Sequence, residues 1–173
     1  MQDDKSHYVV TTGIIIKDGK YLITKRSESE AAFPGLWTVP GGKLRSSDYT
    51  SRDKDTGDSW YNVLEEQLKR EIREETGIEV KNIRYLLSLA YIRSDGIPTL
   101  ILSFYCDYES GDVTLADELT EFAWIEGYQI GDYEFVPGLS EEIEMVDKKI
   151  KGEKVDEWEG KYDSAEDESK RDK

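Results

Sequence analysis

Cysteine and proline are scarce in this sequence, and no apolar stretch approaches the length of a membrane span. The 173 residues include one cysteine, four prolines and one histidine. A lone cysteine has no intrachain disulfide partner, so Cys106, inside a strand-like segment, is expected to fill the core. The longest apolar stretches fall far short of the roughly 20 residues that a transmembrane helix needs. These absences exclude a disulfide-stapled fold and a helical membrane protein.

Positive charge is outnumbered by negative charge, and this imbalance limits the choice of partners. The 23 Lys and Arg residues are outnumbered by 38 Asp and Glu, for a net charge of -15. This charge repels a nucleic-acid backbone, so no polymeric nucleic acid is expected as a partner. A small anionic substrate remains compatible, because a bound Mg²⁺ reverses the local field. No apolar segment typical of a secretory signal follows the acidic N-terminus, which predicts a cytoplasmic protein without a membrane partner.

The length favours one domain, residues 1–151, followed by a charged tail at 152–173. The tail has too few apolar residues to pack a core and is expected to be disordered or loosely docked. Within the domain, residues 45–59 are almost wholly polar and are interpreted as a mobile inserted loop.

Apolar periodicity predicts an alternation of strands and helices along the domain. Helical spacing indicates helices at 60–76 and 140–150, and Gly77 stands where a C-terminal cap belongs. Strands are predicted at 8–16, 21–25, 37–39, 80–92, 99–108 and 121–125. This order predicts an α/β fold with a mixed sheet between helices, an α/β/α sandwich.

Three carboxylates on the first predicted helix carry the strongest chemical signal. Glu71, Glu74 and Glu75 share one helix face because they are spaced i, i+3 and i+4. Carboxylates this close repel each other, so a cation is expected between them, and oxygen ligands favour Mg²⁺ or Mn²⁺. The alternative is a solvated charged helix face. An upstream glycine pair, Gly41 and Gly42, after a short strand favours the functional interpretation.

This pattern resembles the Nudix box of the Nudix hydrolase superfamily, the MutT-like pyrophosphohydrolases. The box is Gly, five residues, Glu, seven residues, then Arg-Glu-U-x-Glu-Glu-x-Gly-U, where U is aliphatic. Residues 70–78 read Arg-Glu-Ile-Arg-Glu-Glu-Thr-Gly-Ile and match every fixed position of the second half. The lead-in at 33–42 is also typical of the family, and the resemblance extends over about 8–150.

Both departures from the family pattern lie in the first half of the box. A 14-residue insertion separates Gly42 from the second half, and Asn62 stands where the family usually has Glu. An amide oxygen brings no charge, so weaker binding of an additional cation is expected. An acidic residue of the insertion is an alternative source of that carboxylate: Asp48, Asp55 or Asp58.

The resemblance also implies roles for individual residues. Glu71 and Glu75 match the main metal ligands of the family, with Glu74 assisting and the backbone carbonyl of Gly42 as a further ligand. Glu71 and Glu74 also count as catalytic, and Arg70 is expected to orient the carboxylates through an ion pair.

The general base and the substrate contacts are placed less directly. Family members take the base from the box helix or from a distant loop, where the candidates are Asp117, Glu118 and Glu121, and Glu118 is preferred. Arg26 and Phe33 are expected to contact substrate, whereas Trp37 is expected to belong to the core.

The implied reaction is metal-dependent hydrolysis of a diphosphate bond in a nucleoside triphosphate or another nucleoside diphosphate-linked substrate. Leu139 stands where guanine-reading relatives place an Asn, and Arg93 and Ser94 stand where ADP-ribose enzymes place a Pro, so neither specificity is supported. The alternative is a non-catalytic nucleotide-sensing or protein-interaction module. The sequence leaves both a monomer and a homodimer open.

Overall fold

One mixed sheet of seven strands forms the centre of the computed structural model, which describes residues 5–159. The central strands pair in parallel and the others pair antiparallel, in the order β3-β2-β1-β6-β5, with β4 on β1 and β7 on β2. The strands are β1 Tyr8–Lys17, β2 Lys20–Arg26, β3 Trp37–Thr38, β4 Gly41–Lys43, β5 Glu79–Ile92, β6 Pro98–Ser110 and β7 Leu119–Ile125.

Helices cover both faces of this sheet and confirm the predicted α/β/α sandwich. The helices are α1 Ser47–Thr50, α2 Val63–Thr76 and α3 Leu139–Ile150, with a 3₁₀ helix at Gly127–Asp132. Because side chains alternate along a strand, Ile14 of β1 packs with the apolar residues of α3, whereas Ile15 packs with those of α2. Both faces of the central strands are therefore buried, which explains their continuous apolar runs.

Two expectations about core residues are confirmed. Cys106 is fully buried beneath α2, and burial raises the pKa of its thiol to about 12, so it is not a reactive nucleophile. Trp37 packs against the core beneath α3, with its ring centroid 5.0 Å from that of Tyr133 in an edge-on arrangement.

The segment 45–59 is more structured than the sequence indicates. It contains α1, which buries no residue, and its Tyr49 ring lies 5.3 Å from that of Trp60. Helix α2 begins at Val63, three residues later than predicted, because Asn62 adopts a left-handed backbone with φ 53°. The sequence also missed β4 and the 3₁₀ helix, which are too short to show a period.

Most of the predicted tail, residues 160–173, lies outside the described residues. Within its first part, the ring of Trp158 lies close to Gly138, just before α3. In the described part of the chain, no helix combines the length and the apolar character needed to cross a membrane.

Candidate functional site

Helix α2 directs two carboxylates toward the backbone of β4. The N–H of Gly41 donates to a carboxylate oxygen of Glu75 at 3.0 Å. A side-chain carbon at Gly42 would overlap the carboxylate of Glu71, so only glycine permits this close approach. Glu71 and Glu75 therefore lie on the same side of α2, beside the glycine pair, as the i, i+4 spacing predicted.

Glu74 takes a different direction. Its carboxylate accepts a hydrogen bond from Arg70 at 2.7 Å, and its side chain is 58% exposed. Glu71 and Glu75 thus lie at the glycine pair, whereas Glu74 is bound by the same guanidinium of Arg70 that binds Glu71. No group of three His, Cys, Asp or Glu residues within 5–159 is close enough to hold a metal ion. A ligand role for Glu74 stays a prediction.

Arg70 also contacts Glu71, as the resemblance implied. One terminal nitrogen of its guanidinium lies 2.7 Å from Glu71 and 3.1 Å from Asp48. Asp48 comes from the insertion, and its side chain is only 10% exposed. Of the three insertion carboxylates considered, Asp48 is therefore the one held beside the α2 carboxylates, whereas Asp55 binds Arg52 and the backbone of Tyr61.

Asn62 lies away from this cluster. It precedes the first residue of α2 and is exposed, without a side-chain capping hydrogen bond. It stands nine positions before Glu71, which corresponds to about 13 Å along a helix at 1.5 Å per residue. Residue 62 therefore lies at the start of α2 rather than beside the carboxylates.

Electrostatics links Glu75 to two other predicted residues. Burial raises the pKa of Glu75 to about 7, and the nearby carboxylates of Glu71 and Glu118 add to that shift. The N–H of Gly41 and the charge of Arg26 oppose it. The structure thus brings Arg26 and Glu118 to the same site as the α2 carboxylates.

Backbone pairing explains why these two residues meet. The N–H of Ser27 donates to the carbonyl of Glu118 at 2.8 Å, which holds the loop before β7 against the end of β2. Of the other two candidates for the general base, Glu121 pairs with Lys25 at 2.7 Å. Asp117 is exposed, as Glu118 is, but only Glu118 is near enough to Glu75 to affect its pKa.

Sequence reasoning missed one polar residue that supports the site. Gln67 is buried, accepts a hydrogen bond from the Thr11 hydroxyl, and donates to Glu71 at 3.4 Å. Its position one helical turn before Glu71, next to the apolar Leu68, was an available signal of a buried polar contact.

A cavity of about 300 Å³ opens beside the glycine pair on the α3 side of the sheet. Phe33 lines it and is 46% exposed, with a left-handed backbone of φ 50°. Most of the remaining lining is apolar, including Val39, Leu139 and Pro137. The predicted contact residue Phe33 therefore borders a space in which an aromatic ligand can stack.

The paired oxygen donors suit a hard divalent cation. Glu71 has a side chain that is 15% exposed, and Glu75 is shielded enough from solvent to shift its pKa upward. Two shielded carboxylates on one helix face repel each other, and a divalent cation relieves this repulsion. The observed donor set is therefore compatible with a metal site at the glycine pair.

An α/β/α sandwich whose carboxylate-bearing helix faces the glycine pair of β4 fits the class of pyrophosphohydrolase that the sequence resembles. Residues 7–143 match the NUDIX domain family, and the chain belongs to that family. Enzymes of this family generally use divalent metal ions.

Similar proteins include enzymes and a ligand-bound domain. The nucleoside triphosphatase NudI of Salmonella typhimurium is 27% identical over 132 residues, covering 70% of this chain and 83% of NudI. The MutT protein from Methanosarcina mazei superimposes with a TM-score of 0.62 at 23% identity, over 87% of this chain and 99% of that protein. The NUDIX domain of Shewanella oneidensis NrtR, complexed with ADP ribose, gives a TM-score of 0.59 at 17% identity, over 80% and 87% of the two chains. The family and its relatives indicate a Nudix pyrophosphohydrolase.

Proposed function

We propose that this enzyme hydrolyses a diphosphate bond of a nucleoside triphosphate or a related nucleoside diphosphate derivative, with Mg²⁺ or Mn²⁺ as its cation. The observation that carries the proposal is the placement of the Glu71 and Glu75 carboxylates at Gly41 and Gly42, beside a cavity lined by Phe33. The similarity to NudI, a nucleoside triphosphatase, supports this substrate class.

The proposed cation ligands are Glu71, Glu75 and the carbonyl of Gly42, with Glu74 assisting. When bound, the cation neutralises phosphate charge and lowers the pKa of the attacking water. For Glu74 to assist, it must release Arg70, and its 58% exposure leaves its side chain room to rotate. Arg70 acts as a positioning residue, because it binds Glu71 at 2.7 Å and is itself held by Asp48.

Proton transfer and substrate binding are assigned to residues from the other side of the site. We assign the general base to Glu118. Its carboxylate is near enough to Glu75 to raise the pKa of Glu75, and it would accept a proton from the attacking water. We assign the contact with the substrate phosphates to Arg26, a cation near Glu75. We assign stacking on the base to Phe33, because it lines the cavity.

The test is a panel of nucleoside triphosphates, nucleotide sugars, ADP-ribose and dinucleoside polyphosphates, assayed with Mg²⁺ or Mn²⁺ for phosphate and pyrophosphate release. Glu75→Gln should lower turnover on the best substrate by at least about a hundredfold, since a lost metal ligand removes several kcal/mol of charge stabilisation.

The matched control is Glu66→Gln, which makes the same charge change on an exposed residue of α2 that pairs with Lys69. This control should keep near-normal turnover. If Glu75→Gln were as active as Glu66→Gln, the assignment of Glu75 would be wrong. If the wild-type enzyme released no product from any compound, a non-catalytic nucleotide-binding module would replace the proposed function.

A further inference from the structure

The cavity beside the glycine pair contains one acidic residue with no cationic partner among the described residues. Glu142 lines this cavity and is only 5% exposed. It lies on the apolar face of α3, at the position i+3 from Leu139 and next to Ile143. No ion pair found within residues 5–159 includes Glu142. A buried carboxylate normally requires compensation.

Neighbouring hydroxyl groups supply part of that compensation. The Ser103 hydroxyl hydrogen bonds to the Glu142 carboxylate, and its oxygen lies 3.1 Å from that of Thr12. Burial nevertheless raises the pKa of Glu142, and the hydrogen bond from Ser103 opposes this shift only in part. Among the described residues, this buried carboxylate thus has a hydroxyl partner but no ion pair to offset its burial.

The location of the cavity relates this carboxylate to the proposed phosphate site. Thr12 lines the cavity and pairs with Gly41 in the sheet, and Val39 lines it two residues before Gly41. A nucleotide whose phosphates lie at the glycine pair can therefore extend its base into the cavity. About 300 Å³ is at the small end of ligand pockets and suits a base rather than a whole nucleotide.

We propose that Glu142 determines base specificity, with its carboxylate accepting hydrogen bonds from the N–H groups of a nucleobase that stacks on Phe33. This inference rests on the proposed function. A carboxylate is acceptor-only, so it favours bases that present N–H donors at this edge and disfavours those that present only acceptors. The N–H groups of the base then add to the hydrogen bond that Ser103 already gives this carboxylate.

The experiment measures kcat/KM for the four common nucleoside triphosphates with wild-type enzyme, Glu142→Leu and Glu142→Gln. Loss of a hydrogen bond to a charged group should lower kcat/KM for the preferred base by at least about tenfold. The kcat/KM for the least preferred base should fall much less. The ratio of kcat/KM between the preferred and the least preferred base should therefore be smaller in both variants than in the wild-type enzyme. Glu142→Gln keeps the size of the side chain and guards against misfolding of Glu142→Leu.

A second arm uses the preferred nucleotide with its base N–H blocked by methylation, at the ring N–H of guanine or uracil or by dimethylation of the amino group of adenine or cytosine. Wild-type enzyme should discriminate against this analogue by at least about tenfold, and Glu142→Gln should discriminate less. The matched control is Glu141→Gln, on the same helix, whose carboxylate is bonded by Ser140 and does not line the cavity. This control should keep the wild-type ratios.

The outcomes separate this inference from the proposed function. An equal loss of kcat/KM for all four nucleoside triphosphates would indicate a structural role for Glu142. It would overturn the inference without contradicting the proposed hydrolase function. Unchanged base ratios in both Glu142 variants would overturn it as well. If wild-type enzyme hydrolysed no nucleoside triphosphate, the substrate class would fail, and the inference would fail with it.

Discussion

The Gly42→Ala substitution tests the proposed catalytic role of this site without a large effect on folding. Gly42 is not among the residues with positive φ, so alanine fits its backbone. The added methyl group would overlap the carboxylate of Glu71, which is the far end of a flexible side chain and can rotate away. We therefore expect the fold to survive while the carboxylate leaves its position at the glycine pair.

The magnitudes follow from this displacement. Forcing Glu71 off its preferred rotamer costs about 0.5–1.5 kcal/mol, and the lower chain entropy of alanine in the unfolded state offsets about 0.4–1 kcal/mol of that. The melting temperature should therefore change by no more than about 4 °C for a domain of this size. Misplacing a reacting group by about 1 Å can lower the rate by about a hundredfold.

The assay is kcat/KM on the best substrate together with thermal unfolding, and Gly41→Ala is the comparison. A methyl group at Gly41 would overlap the backbone of Thr11 and Thr12, which cannot rotate away, so this variant should lose about 1–3 kcal/mol of stability. Normal kcat/KM in Gly42→Ala would refute the reasoning. So would a loss of stability as large as that of Gly41→Ala.

Two further predictions concern the insertion. Replacing residues 45–59 with a short Gly-Ser link should change the free energy of unfolding by less than about 2 kcal/mol, which is the contribution of one large buried apolar side chain. The reason is that α1 buries no residue. A larger loss of stability in chemical denaturation would show that the segment packs against the domain. Asn62→Glu should leave the metal concentration for half-maximal rate unchanged, because residue 62 lies at the start of α2. A titration curve shifted to lower metal concentration would instead support the expectation that the missing carboxylate at residue 62 weakens the binding of an additional cation.

Local patterns were sufficient to predict the sheet and the two long helices. The spacing of Leu68 and Ile72 indicated the buried face of α2, and both residues are fully buried. Gly77 was correctly placed as its cap, with φ 72°. These features depend on neighbours within one or two turns, which the sequence displays directly.

The contacts between distant segments could not be predicted in the same way. Helical spacing placed Glu74 with Glu71 and Glu75, but the choice between a shared site and a salt bridge depends on where Arg70 points. Arg70 is in turn held by Asp48, 22 residues earlier in the chain. The contact between Arg70 and Asp48 could not be predicted, because a polar segment without apolar periodicity does not indicate which residues it will contact.

Two adjacent threonines of β1 show how one strand supports both sides of the site. Thr11 bonds to Gln67 of α2, which in turn donates to Glu71. Thr12 faces the opposite side and lies 3.1 Å from the Ser103 hydroxyl that bonds Glu142. Because successive side chains alternate across the sheet, the proposed metal ligands and the proposed base pocket are supported by neighbouring residues of a single buried strand. The distance between phosphate site and base pocket is therefore set by the rigid centre of the sheet rather than by a loop, a placement that favours fixed substrate geometry.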